Sequence, residues 1–174
     1  MNINEVKLID LVQHEDDRGQ LYEVVHNYEM PSKDWLKLTF NNVGPDTRRF
    51  GQIYVVSDWG VNTIRGLHRH QKLFDYFHII HGSAKFVLIK DEPAPHAPDA
   101  LAVCMHDEIV MSNKKPQLLI VPPRIYHGWV SLEPDTILLS VASELYDKEN
   151  PDEERIPYNK YEELWGDLWK VNPR

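Results

Sequence analysis

Two histidines separated by a single residue, His68 and His70, follow Arg65-Gly66-Leu67 in a segment, Ile64 to His70, that reads as a β-strand. Successive side chains on a strand point to opposite faces, so the two imidazoles share one face while Arg69 takes the other. If that face lines the inside of a barrel, two imidazoles and Arg65 converge on one cavity. Imidazole titrates near neutral pH and is also a common metal ligand, so such a pair suits proton transfer or metal binding. A buried arginine calls for a partner anion. Asp75 and Gly82 come soon after, and Pro122-Pro123-Arg124-Ile125-Tyr126-His127 much later. Together His68, His70, Asp75 and His127 have the residue types of a three-histidine, one-carboxylate site for Zn, Fe, Mn or Ni.

The elements that would position these residues are short strands. Val6–Val12, Gln20–Val25, Phe50–Ser57, Ile64–His70, Tyr76–Ile80, Ala84–Lys90, Ala100–His106, Glu108–Ser112, Gln117–Val121, Trp129–Leu132 and Thr136–Ser143 read as strands. Gly, Pro, Asn and Asp punctuate them. Such a series predicts an all-β sandwich or barrel. Helix is confined to short pieces, the clearest being Tyr161–Trp169, with Leu164, Trp165, Leu168 and Trp169 on one face. The acidic run from Asp147 to Glu154 reads as solvated surface. His78 and His81 read as surface or strand-end residues.

The chain of 174 residues fits a single domain with a sizeable core. Its formal charge of −8 argues against nucleic acid as a partner. A few local arginines can still hold a phosphorylated ligand. The lone Cys104 makes no internal disulfide, no apolar run approaches the length of a membrane span, and Met1–Glu5 lacks a signal-peptide pattern. The expected location is the cytoplasm, with no membrane partner.

Gly66, His68, His70, Asp75 and Gly82 resemble the first motif of the cupin superfamily, and Pro122 with His127 resembles the second. The resemblance implies an all-β cupin-type double-stranded β-helix, a jelly-roll barrel with short peripheral helices. One cupin domain would span 1–174, with the barrel at roughly 45–146. Asp17-Arg18-Gly19, Glu23, Gln52, Arg65-Gly66-Leu67-His68, Pro122-Pro123, His127-Gly128 and the tail Tyr146–Tyr158 resemble, in the same order, the dTDP-4-dehydrorhamnose 3,5-epimerase family. That resemblance implies proton abstraction from carbons flanking the C4 ketone of a nucleoside-diphosphate 4-keto-6-deoxy sugar, in deoxysugar or surface polysaccharide biosynthesis. No cofactor is required. His68 would be the base, and Arg18, Glu23, Gln52, Arg65 and His127 would bind substrate. Arg18 and Glu23 would reach a neighbouring subunit's site in a homodimer.

Two of the family's catalytic positions are changed. Ser140 falls where the family has its acid tyrosine, and Asn159 or Lys160 falls where it has the carboxylate that orients the base. Tyr126 and Tyr146 are the expected substitutes for the acid. Arg65-Gly66-Leu67-His68-Arg69-His70 is also similar to the Arg-Gly-x-His-x-His string of sugar-nucleotide 3,4-ketoisomerases, in which His70 would shuttle protons beside His68. A non-catalytic cupin, or one holding a divalent metal on His68, His70, Asp75 and His127, is the remaining alternative.

Overall fold

A computed structural model describes residues 3–17, 19–24, 51–92 and 103–171. The strands are β1 (Lys7–Asp10), β2 (Gln13–Asp16), β3 (Gly19–Tyr22), β4 (Gln52–Asp58), β5 (Ile64–Arg69), β6 (Asp75–His81), β7 (Ser83–Glu92), β8 (Val103–Ser112), β9 (Gln117–Val121), β10 (Tyr126–Ser131), β11 (Thr136–Ala142) and β12 (Glu154–Arg155). One helical turn, α1 (Glu162–Trp165), follows. The described strands form two five-stranded sheets, β1-β9-β6-β11-β4 and β12-β5-β10-β7-β8, and a separate β2–β3 hairpin. The strand pairings among the described residues are antiparallel, as the expected all-β, cupin-type architecture requires. Among the described residues no helix is long and apolar enough to cross a membrane.

The interior follows from strand alternation. Phe77 and Ile79 of β6, Phe86 and Leu88 of β7, Leu119 and Val121 of β9, and Trp129 of β10 form the central cluster. Alternate residues of the same strands, Val87, Ile89, Tyr126 and Val130, are buried as well, because Leu67, Tyr161, Leu168 and Trp169 pack over that outer face. This double burial explains why β7 reads as an unbroken apolar run instead of an alternating one.

Several elements differ from the sequence reading. The two strands expected over Ala100–Ser112 are one continuous strand, β8, paired along its whole length with β7. The tail helix is a single turn that stops at Gly166, a left-handed residue with φ of 74°. Leu168 and Trp169 still bury, whereas Leu164 is exposed. His78 is not a surface residue. It is 2% exposed, donates from Nδ1 to the Gln117 carbonyl at 2.9 Å, and faces the Tyr22 hydroxyl at 3.2 Å with Nε2. The acidic run is only partly solvated: Glu154 pairs with Arg69 in β12, and its carboxylate binds the Arg69 guanidinium at 2.7 Å and the Tyr126 hydroxyl at 2.5 Å.

Candidate active site

The cavity is organised by an irregularity in β5. His68 pairs with His127 of β10 and Arg65 pairs with Trp129, so three steps on β5 match two on β10. Strict alternation would send Arg65 and His68, three residues apart, to opposite faces. The extra residue restores both to the cavity side. Gly66 occupies the bulge at φ 132°, and a Cβ there would lie 2.6 Å from the Gly128 Cα. Two glycines therefore let the strands approach where the bulge needs room.

A cavity of about 610 Å³ opens above this point, and Arg65, His68, His70, Asp75, Gln52 and Tyr54 line it. One ligand-type atom from each of His68, His70, Asp75 and His127 lies within 4.8 Å of the others. Asp75 comes from the opposite sheet, and its Oδ2 is 3.2 Å from Nε2 of His127 and 3.5 Å from Nε2 of His70. The His68 and His127 ring centres are 4.3 Å apart. His127 is 1% exposed, packs on Phe77 and donates from Nδ1 to the Ile125 carbonyl at 3.0 Å. It stands behind His68 and does not line the cavity.

Burial pushes the His68 imidazole down to about 2, with the charges of His127, His70 and Arg155 adding to the effect. His68 is therefore neutral at working pH, with a lone pair to offer. Tyr54 moves the other way. Its phenol is pushed up to about 12 by burial and then by the Asp75 carboxylate, against the opposing contact from Ser140, its partner across β4 and β11. A neutral imidazole and a protonated phenol thus face one cavity.

Arg65 is held from behind. Its Nε donates to Oδ1 of Asp58 at 2.5 Å, and the other carboxylate oxygen accepts from the Trp129 indole at 3.0 Å. Asp58 is 2% exposed while Arg65 is exposed to the cavity. Such bracing through Nε leaves the terminal nitrogens in position for an anion.

The C-terminal segment closes one side. Arg155 pairs with His68 along β12, and Ile156 donates to the Leu67 carbonyl at 3.0 Å. Glu153 and Arg155 line the cavity and are joined by a 2.7 Å ion pair. His70 donates from Nδ1 to the Asp152 carbonyl. The Asp152 carboxylate accepts from the backbone N–H groups of Gln71, Lys72 and Leu73 at 2.9–3.2 Å.

Of the residues named from sequence, His68, His70, Asp75, Arg65 and Gln52 meet around the cavity, with His127 behind them. Glu23 is exposed and outside its wall, and Arg18 lies outside the described residues. Asn159 lines a separate cavity of about 360 Å³ under the tail, and the Lys160 ammonium sits over the Tyr126 and Tyr161 rings, so neither orients His68. Tyr126 points into the tail packing and is removed as a substitute acid; Tyr146 does line the cavity. The sequence reading missed Tyr54, Asp58, Asp152, Glu153 and Arg155. Tyr54 had a usable signal, since Gln52, Tyr54 and Val56 alternate on one face of β4.

Known proteins share this fold. A probable low-salt glycan biosynthesis epimerase of Haloferax volcanii is 27% identical over 160 residues, 91% of this chain and 90% of that protein. The Bacillus anthracis dTDP-4-dehydrorhamnose 3,5-epimerase, solved with TDP and PPi bound, superposes with a TM-score of 0.72 at 22% identity, covering 99% of this chain and 89% of its own. A sugar 3,4-ketoisomerase of Thermoanaerobacterium thermosaccharolyticum, solved with TDP, gives a TM-score of 0.62 at 22% identity over 92% of this chain and 93% of its own. The dTDP-4-dehydrorhamnose 3,5-epimerase family pattern matches residues 1–163, and the chain belongs to that family of sugar-nucleotide epimerases and isomerases.

Proposed function

We propose that the protein epimerises a nucleoside-diphosphate 4-keto-6-deoxy sugar next to its C4 ketone, for glycan synthesis of the kind named for the Haloferax relative. The observation that carries the reading is the neutral His68 facing the same cavity as the protonated Tyr54 and the braced Arg65. A carbon next to a ketone loses a proton when a base takes it and the electrons spread onto the ketone oxygen. His68 takes that proton. Tyr54 supplies a proton from across the chamber, in the place of a tyrosine at position 140. Arg65 and Arg155 meet the diphosphate.

The depressed basicity of His68 is compatible with this role. A bound diphosphate offsets the positive charge of Arg155, and the enolate that forms beside the imidazolium stabilises it further. Both changes strengthen the base when substrate is in place. No cofactor takes part in the proposed reaction. The exposed Ile53 and Val55 on edge strand β4 support pairing with a second copy of the chain.

The test is deuterium wash-in. A dTDP-4-keto-6-deoxy sugar incubated in D2O should gain deuterium at C3, C5 or both, and His68→Asn should abolish this. Absence of exchange with every 4-keto sugar nucleotide tried rejects the reading. One observation favours a second reaction, 3,4-ketoisomerisation: His70 lines the cavity beside His68 and offers a second proton carrier. The product separates the two, since an epimerase keeps the C4 ketone and a ketoisomerase moves it to C3.

A further inference from the structure

Ser140 lies in the middle of β11, the strand between β4 and β6, and is wholly buried. Its register partners are Tyr54 on β4 and Phe77 on β6. Residues directly opposite on antiparallel strands share a face, as do alternate residues of one strand. Ser140 therefore shares its face with Leu138 and Ala142 along β11 and with Phe77 across the sheet, all three buried and apolar. Tyr54 is the polar group directly opposite. Asp75 and Gln52 stand one step away on the diagonal, opposite Ala142. The Ser140 hydroxyl bonds to none of them: its Oγ is buried with no hydrogen-bond partner. A buried hydroxyl in this state costs stability, and alanine at the same position would remove the cost.

A partner that forms only during the reaction accounts for such a hydroxyl. Tyr54 lines the cavity, and burial, then Asp75, then Glu153 hold its phenol in the protonated form. Ser140 acts in the opposite sense and favours the phenolate. Loss of the phenol proton puts negative charge on Oη of Tyr54, in the field of two carboxylates. An O–H directly across the strand pair, with no other acceptor for its proton, can turn to that oxygen. A hydrogen bond to an ionised oxygen is roughly twice as strong as one to a neutral oxygen. The contact is thus worth most at the moment the acid has given up its proton.

We propose that Ser140 is a positioning residue for Tyr54, its hydroxyl donating to the phenolate that Tyr54 becomes when it protonates the sugar. This rests on the reading of Tyr54 as the acid. As the enolate's electron pair forms the new C–H bond, the Tyr54 O–H bond breaks and its pair stays on the oxygen. The site then holds the His68 imidazolium and the Tyr54 phenolate, and one proton passed from the first to the second through solvent resets both. Ser140 keeps its own proton throughout. The protein carries an unsatisfied hydroxyl at rest, and the reaction supplies its acceptor.

The test measures turnover of a dTDP-4-keto-6-deoxy sugar by the full chain, by Ser140→Ala, by Tyr54→Phe and by the double variant, with a thermal melt of each. Ser140→Ala should lower kcat about tenfold, keep KM and dTDP affinity within about twofold, and melt no lower than the native chain. Added to Tyr54→Phe, it should change the residual kcat by less than about twofold, because no phenolate is left to receive the bond. Ser140→Thr and Ser140→Val match in shape and differ in the hydroxyl, so the threonine chain should turn over about tenfold faster. That pair decides the matter if alanine disturbs the packing. Native kcat in Ser140→Ala, equal kcat in the threonine and valine chains, or the same loss in the Tyr54→Phe background each overturn the proposal. So does a loss of kcat that follows a lowered melting temperature across the variants. If Tyr54→Phe keeps native turnover, or if the native chain turns over no 4-keto sugar nucleotide, the acid reading falls and Ser140 falls with it. A slow Tyr54→Phe beside an unaffected Ser140→Ala removes Ser140 alone.

Discussion

His70 donates its Nδ1 proton to the main-chain carbonyl of Asp152, and the carboxylate of that same residue gathers the N–H groups of Gln71, Lys72 and Leu73. One residue of the C-terminal segment thus fixes both the tautomer of His70 and the loop that follows it. Asp152→Ala should cost about 1–2 kcal/mol of stability, because three hydrogen bonds to a charged acceptor are lost in a partly exposed setting. It should also slow deuterium wash-in about tenfold through a loosened His70. Urea unfolding and exchange measured on the same preparation check both.

Tyr54 is the acid of the proposed reaction. Tyr54→Phe removes one hydroxyl and keeps the ring, so dTDP affinity should hold within about twofold while turnover drops about 100-fold. Tyr146→Phe, at the exposed rim of the cavity, should leave turnover within about twofold. The reverse ranking would move the acid to Tyr146. Single-turnover product analysis with calorimetric dTDP binding decides it.

Asp58 is a positioning residue for Arg65. Arg65→Ala should weaken dTDP binding about tenfold or more through loss of charge-assisted contacts. Asp58→Asn keeps an acceptor for the Trp129 indole but loses the charge that braces the guanidinium, so KM should rise about three- to tenfold with kcat nearly unchanged. A fall in kcat at constant KM would place Asp58 in the chemistry instead.

His78 makes stability depend on pH. Burial lowers its value below the ordinary 6.5, so the unfolded chain binds a proton that the folded one refuses. Its contribution is fully present above 6.5 and is lost as pH falls toward the lowered folded value. The slope is at most about 1.4 kcal/mol per pH unit for one proton. Urea midpoints taken at steps below 6.5 should fall faster for the native chain than for His78→Gln.

Much of this was legible in the residues themselves. Alternation and turn punctuation located the barrel strands, and His68, His70, Asp75, Arg65 and Gln52 do meet at one cavity. The failures have physical causes. Alternation alone misplaces Arg65, because a bulge at Gly66 breaks the period and a bulge has no strong sequence mark. The strap residues Asp152, Glu153 and Arg155 look like a solvated acidic run, because their partners are far away in sequence: backbone N–H groups after β5 and the edge of β5 itself. Asp58, just past the strand read over Phe50–Ser57, has no sequence mark of its role, since its partners Arg65 and Trp129 meet it only in the fold. His78 was missed because a hairpin partner, Tyr22, covers the outer face of β6.

The strap also sets a timetable for the newly made chain. Every strand of the β4-to-β11 barrel is complete by Ala142, whereas the segment that tethers His70 and walls the cavity begins only at Asp152. Synthesis runs from the N-terminus at about 5–20 residues per second. The barrel strands can pair while the chain is still attached to the ribosome, and the chemistry waits for the tail to emerge. A chain cut short between these two points would carry the histidines and the arginine, leave the outer face of β7 and β10 uncovered, and have no finished site.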